Sequence, residues 1–171
     1  MLENQFLQPG IRILDFSPSR CQYRFLRIKQ GITYISTDLY GEFPADHAYD
    51  IRSINLENNS FDLVICYHIL EHVEDDLKAM RELYRVLKKG GVCLIQTPFK
   101  TGEIYEDNSI RSEEDRLKHF GLKDHVRIYT VESLSERLTE SGFRVYIREF
   151  VQEENNTYGL NFPETILLCY K

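Results

Sequence analysis

Residues Phe61–Pro98 read FDLVICYHILEHVEDDLKAMRELYRVLKKGGVCLIQTP. The first seven residues form a short apolar run rich in aromatic and branched side chains, the pattern of a buried strand. A helix is predicted over about Asp75 to Lys88: Leu77, Met80, Tyr84 and Leu87 fall on one face, Glu74 and Asp75 sit at its positive end, and Lys88 and Lys89 at its negative end. Gly90-Gly91 is expected to stop that helix, and VCLIQTP reads as the next strand. A strand–helix–strand unit of this length requires a right-handed crossover and parallel pairing.

The same alternation extends both ways. Ile11–Phe16 (IRILDF) reads as a first strand after the turn residues Pro9 and Gly10. Arg20 to Lys29 has a helical pattern ending before Gly31, and Thr33–Asp38 (TYISTD) is a second strand. Tyr49-Asp50-Ile51 is expected to add a short third strand. Downstream, a helix is predicted over about Val131 to Ser141, then the strand FRVYIREFV and a closing antiparallel or edge strand, TILLCYK. The expectation is an α/β, Rossmann-like, doubly wound and mostly parallel seven-stranded sheet, with an antiparallel strand near the C-terminus. In such sheets ligands bind beyond the carboxyl ends of the strands, here just after Phe16, Thr37, Tyr67 and Thr97.

The composition narrows the classes. With 171 residues, 42% hydrophobic and 28% charged, the chain reads as one domain (1–171) of ordinary size. A formal charge of −6 argues against a nucleic-acid partner and for a small-molecule substrate. No apolar run is long enough to span a membrane, and the start MLENQFLQPG lacks a signal pattern. Cys21, Cys66, Cys93 and Cys169 are widely spaced and read as reduced thiols, hence a cytoplasmic setting. A homodimer is compatible with this composition.

His68, Glu71 and His72 fall in the order H-x-x-E-H, the spacing of inverted zinc peptidases. That chemistry needs all three on one helix, whereas a strand runs directly into them and the helix begins near Asp75. The pattern is read as an accident, and no metal is expected. Residues 101–130 are long for a connection and dense in charge, which suggests an inserted substrate cap or lid. Within it, His119 and His125 are candidate general bases near neutral pH, against the alternative of a solvated loop whose charges pair with one another.

The marks F-D-L-V-x-x-x-x-x-L-E-H-V, an acidic helix start and L-x-R-V-L-K-x-G-G closely resemble those of class I S-adenosylmethionine-dependent methyltransferases. The resemblance spans about Ile11 to Phe143. It implies S-adenosyl-L-methionine as cofactor. Asp38, closing the second strand, is implied to hold the ribose hydroxyls, and Asp50 with Ile51 to border the adenine. Asp15, Ser17 and Ser19 correspond to the turn that receives the methionine portion, and Tyr67 and His68 to the cofactor-facing end of the fourth predicted strand. Asp62, at the other end of that strand, is read as structural.

The family's glycine-rich turn is replaced by Asp15-Phe-Ser17-Pro-Ser19-Arg-Cys21. A serine in a left-handed conformation costs about 1–2 kcal/mol. Ser19 is expected to cap the following helix, leaving N–H groups for the methionine carboxylate. The chain also resembles a bacterial methyltransferase subgroup with a proline in this turn and a downstream block like Glu106-Asp107-Asn-Ser109-Ile110 and His119-Phe-Gly-Leu-Lys-Asp124-His125-Val-Arg127-Ile-Tyr129. Methylation of a small molecule, such as a sugar or lipid intermediate, is the leading expectation. The alternatives are a non-catalytic S-adenosylmethionine-binding or regulatory module and, behind both, the metallohydrolase.

Overall fold

A computed structural model describes residues 6–151 and 163–171. The main sheet contains β1 (Arg12–Phe16), β2 (Thr33–Thr37), β3 (Phe61–Tyr67), β4 (Leu87–Gln96), β7 (Arg144–Phe150) and β8 (Glu164–Tyr170). Its order is β2-β1-β3-β4-β8-β7. The β1–β2, β1–β3 and β3–β4 pairs are parallel, and β8 runs antiparallel to both β4 and β7. The helices are α1 (Arg20–Arg27), α2 (Asp76–Val86), α3 (Glu113–Phe120) and α4 (Val131–Glu140), with a 3₁₀ turn at Leu70–His72.

Strand interiors are apolar at successive positions because both faces of the sheet are covered. Leu14, Val64, Cys66, Cys93 and Ile95 point into one core with Met80, Leu83, Leu134 and Leu138 from α2 and α4. Ile13, Leu63, Ile65, Val92 and Leu94 point to the other side, against Leu26 of α1. Cys66, Cys93 and Cys169 are free and buried, as their apolar surroundings suggested, and Cys21 is exposed. Asp62 is indeed structural: it accepts from the Arg12 amide (2.8 Å) and pairs with Lys88 at 2.8 Å.

Two expectations need correction. The described residues contribute six strands to the main sheet, not seven. Where Tyr49-Asp50-Ile51 was expected as a strand, the ladder shrinks to one bridge between Thr37 and His47. The Tyr49 amide goes to the Thr37 hydroxyl (2.7 Å), and Asp50 Oδ1 turns the chain by accepting the Arg52 amide (2.8 Å). Second, Gly90-Gly91 does not stop α2, which ends at Val86 when Leu87 becomes extended and pairs with Phe61. The glycines instead form an irregularity within β4, where a side chain on Gly91 would stand 3.0 Å from the Asp62 and Lys88 carbonyl oxygens. Of the two forms expected for the closing strand, the antiparallel one is found: β8 lies between β4 and β7 and not at the edge.

Residues 101–130 are ordered structure. Ser112 caps α3, Gly121 ends it at φ +87°, and β5 (Tyr105–Glu106) pairs antiparallel with β6 (Arg127–Ile128). Arg127 and Tyr129 are buried, whereas residues 111–115 and 121–124 are exposed. No helix among the described residues is long and apolar enough to cross a membrane.

Candidate active site

The parallel strands deliver their last residues to one edge of the sheet. At the end of β1, Ser17 has φ +46°, the left-handed conformation for which the family's turn keeps glycine. Its amide donates to the Thr37 carbonyl (2.7 Å) and its hydroxyl to Asp38 Oδ1 (2.6 Å). Ser19 caps α1 as expected, accepting from the Gln22 amide at 3.2 Å. The turn is therefore held by hydroxyl groups where glycine would give only freedom.

Asp38 closes β2 almost fully buried, and its Oδ2 accepts from the Glu42 (2.7 Å) and Phe43 (3.3 Å) amides. With Ser17 on the other oxygen, the carboxylate is fixed in place with acceptor capacity left over. Asp50 is gripped by the Arg52 guanidinium (2.7 Å), which holds its carboxyl below the usual range, and Ile51 is buried in the core beside it. Asp15 is fully buried and bound by Gln22 Nε2 (2.9 and 2.8 Å) and by the Tyr34 hydroxyl (2.9 Å). Burial outweighs these donors and pushes its pKa up to about 7. Tyr67, also raised by burial and by Asp15, lies at the end of β3.

His68 follows at φ +54°, its amide on the Gln96 carbonyl (2.9 Å). Its half-exposed ring is 3.4 Å from Glu71, which raises its pKa. The inverted peptidase arrangement is not formed, because only Leu70–His72 make a helical turn and His68 lies outside it. Gln96, at the end of β4, donates to Glu164, which begins β8 at the same edge.

The two histidines of residues 101–130 have different surroundings. His119 is exposed, with Nδ1 2.6 Å from the Tyr105 hydroxyl. His125 is buried edge-on against His72 (4.6 Å between ring centres), and burial together with His72 lowers its pKa. What ties residues 101–130 to the turn after β3 is Arg127, which the sequence marked only as part of the family-like block. It donates to the carbonyls of Leu70 (3.2 Å), Val73 and Glu74 (2.9 Å), and to Glu106 (3.0 Å). Asp76 completes the joint by accepting from Tyr129 (2.5 Å) and Arg137 (2.6 Å). The acidic run Glu74-Asp75-Asp76 concealed it: Asp75 is an ordinary N-cap, whereas Asp76 is buried. A shallow depression of about 460 Å³ lies away from this edge, on the outer face of β7 and β8, lined by Tyr146, Ile147 and Leu168 among others.

A family model described as "Methyltransferase domain" matches residues 4–146, and the chain belongs to that family. Its class is that of the S-adenosylmethionine-dependent class I methyltransferases, as the sequence marks implied. The chain is 30% identical over 84 residues to a ubiquinone biosynthesis O-methyltransferase of Psychrobacter arcticus, covering 48% of this chain and 33% of that protein. It is also 30% identical over 99 residues to a probable S-adenosylmethionine-dependent methyltransferase of Mycolicibacterium smegmatis, covering 56% and 34%. The matches thus span about a third of the length of these curated relatives. Among solved structures, a SAM-dependent methyltransferase from Archaeoglobus fulgidus superposes with a TM-score of 0.66 at 18% identity, covering 94% of this chain and 86% of that one.

Proposed function

We propose that this chain transfers a methyl group from S-adenosylmethionine to a small-molecule acceptor, with residues 101–130 covering the acceptor. The observation that carries the reading is Asp38: a nearly buried carboxylate at the end of β2, immobilised by two loop amides and one hydroxyl. In this fold that position serves the cofactor's ribose diol. The fit extends to the turn after β1, where Ser17 adopts the conformation expected of the family's glycine and Ser19 opens a helix N-terminus. The cofactor supplies an activated methyl group. The protein's part is to hold the donor, align the acceptor and exclude water. Asp38 would hold the ribose, the first-turn amides of α1 the methionine carboxylate, and Ile51 with Asp50 the adenine. Asp15, close to half ionised at neutral pH, would face the cationic methionine end. We assign proton acceptance to His119 rather than His125, because His119 is exposed and His125 is buried against His72. The negative net charge favours a sugar or lipid intermediate over a polyanion as acceptor.

The test is calorimetry with S-adenosylmethionine and S-adenosylhomocysteine. Native protein should bind both, and Asp38→Ala should lose about 2–3 kcal/mol of affinity. His119→Ala should retain affinity while losing turnover on metabolite extracts supplied with labelled methyl donor. Binding by native protein without turnover on any extract would favour the non-catalytic binding module. Unchanged affinity in Asp38→Ala would mean the cofactor is misplaced.

A further inference from the structure

The turn after β3 and the segment entering β6 meet in a cluster that methyl transfer does not require. Glu71, His72 and His125 each bring one donor atom to within 4.8 Å of the other two. Glu71 is only 1% exposed, yet neither of its carboxylate oxygens receives a hydrogen bond. His68 Nδ1 stands 3.4 Å away on a ring that is half exposed. A buried carboxylate without a hydrogen-bond donor is costly, and the half-exposed His68 ring offsets only part of that cost. The Val126 amide goes to the Glu71 backbone carbonyl (2.9 Å), and Arg127 takes the carbonyls on either side. These bonds hold the turn rigidly while leaving the side chain aimed at the two imidazoles.

The histidines are arranged as ligands are. His125 is 6% exposed and meets His72 at an interplanar angle of 83°. Asp124 Oδ2 lies 3.0 Å from His72 Nδ1. A carboxylate in that position orients an imidazole and leaves its other nitrogen for a metal. Two imidazoles and one carboxylate are the protein donor set of three-ligand zinc sites, which keep a further position for water or substrate. Donor atoms around a tetrahedral zinc stand roughly 3.4 Å apart, so atoms now up to 4.8 Å apart would close by up to about 1.4 Å on loading.

We propose that Glu71, His72 and His125 form a divalent-cation site of the zinc type, with Asp124 positioning His72. The site differs from the one the H-x-x-E-H spelling suggests. Its third ligand comes not from His68 but from the lid, so the ion would bridge residues 101–130 to the sheet edge. The expectation of no metal weighed only a site on a single helix.

Cobalt(II) titrated into chelator-treated full-length protein tests this. One equivalent should bind and give visible absorption of a four- or five-coordinate ion, and zinc should displace it. Ring-proton resonances of two of the five histidines should shift strongly while the others stay near their places. His125→Ala and Glu71→Gln should abolish the spectrum, and Asp124→Asn should weaken uptake by roughly 10–100-fold. Absence of stoichiometric uptake, shifts at histidines other than 72 and 125, or an undiminished spectrum in folded His125→Ala would each overturn the site. The resonance measurement decides even if a variant does not fold.

Discussion

Serine at position 17 invites a direct measurement of backbone strain. Its φ of +46° carries a penalty of about 1–2 kcal/mol for any residue with a Cβ, and its hydroxyl donates a 2.6 Å bond to the Asp38 carboxylate. A hydrogen bond to a charged group is worth about 1.5–3 kcal/mol. Ser17→Ala removes the bond and keeps the strain, so it should destabilise by about that amount. Ser17→Gly removes the bond and also relieves the strain, recovering about 1 kcal/mol relative to alanine after glycine's greater unfolded-state freedom is counted. For a domain of this size each kcal/mol moves the melting midpoint by roughly 2–4 °C. Calorimetric melting should therefore order the midpoints as native, then glycine, then alanine, with about 2–4 °C between the variants. An alanine variant as stable as the glycine variant would refute the left-handed assignment. A glycine variant above native would show that the hydroxyl bond contributes less than the strain it accompanies.

Other outcomes follow from the same structure. Arg127→Met removes a donor from the Leu70, Val73 and Glu74 carbonyls and from Glu106, of which Leu70 keeps Tyr129 and Glu106 keeps Arg137, so chemical denaturation should show a loss of about 3–5 kcal/mol; a loss under about 1 kcal/mol would mean that residues 101–130 are not held this way. Asp15, raised from its ordinary 3.8 to about 7, binds in the folded state a proton that the unfolded chain has released. Its contribution to stability is full below about pH 4 and fades as pH rises through 7. Cofactor binding runs the opposite way, since the cationic methionine end favours the ionised form. S-adenosylmethionine affinity should rise about tenfold from pH 6 to pH 8, and Asp15→Asn should flatten that rise; an equal rise in the variant would exclude Asp15 as its source.

Much of this architecture was legible because periodicity and length agreed. FDLVICY, the α2 stripe and VCLIQTP could hardly be arranged otherwise, and Asp38 was pointed out by the resemblance to the family. Tyr49–Ile51 failed as a strand because three residues with one interior apolar side chain cannot outweigh an aspartate that turns the chain. The helix at Glu113–Phe120 was spelled out by Ser112, an acidic first turn and Gly121, but charge density made the segment look like solvated loop. The buried joint of Asp76, Arg127 and Arg137 was hidden for a different reason. Charged residues reveal nothing about burial until their partners are known, and those partners lie more than fifty residues apart.

The placement of β8 has a kinetic consequence. Among the described residues, the outer edge of β4 is covered only by Glu164–Tyr170, and β7 attaches to the sheet solely through that same strand. As the chain leaves the ribosome, the parallel half up to β4 can assemble early, but its hydrogen-bonding edge stays open until residues some seventy positions later arrive. Such long-range closure slows folding and leaves an exposed strand edge exposed to mispairing in the interval.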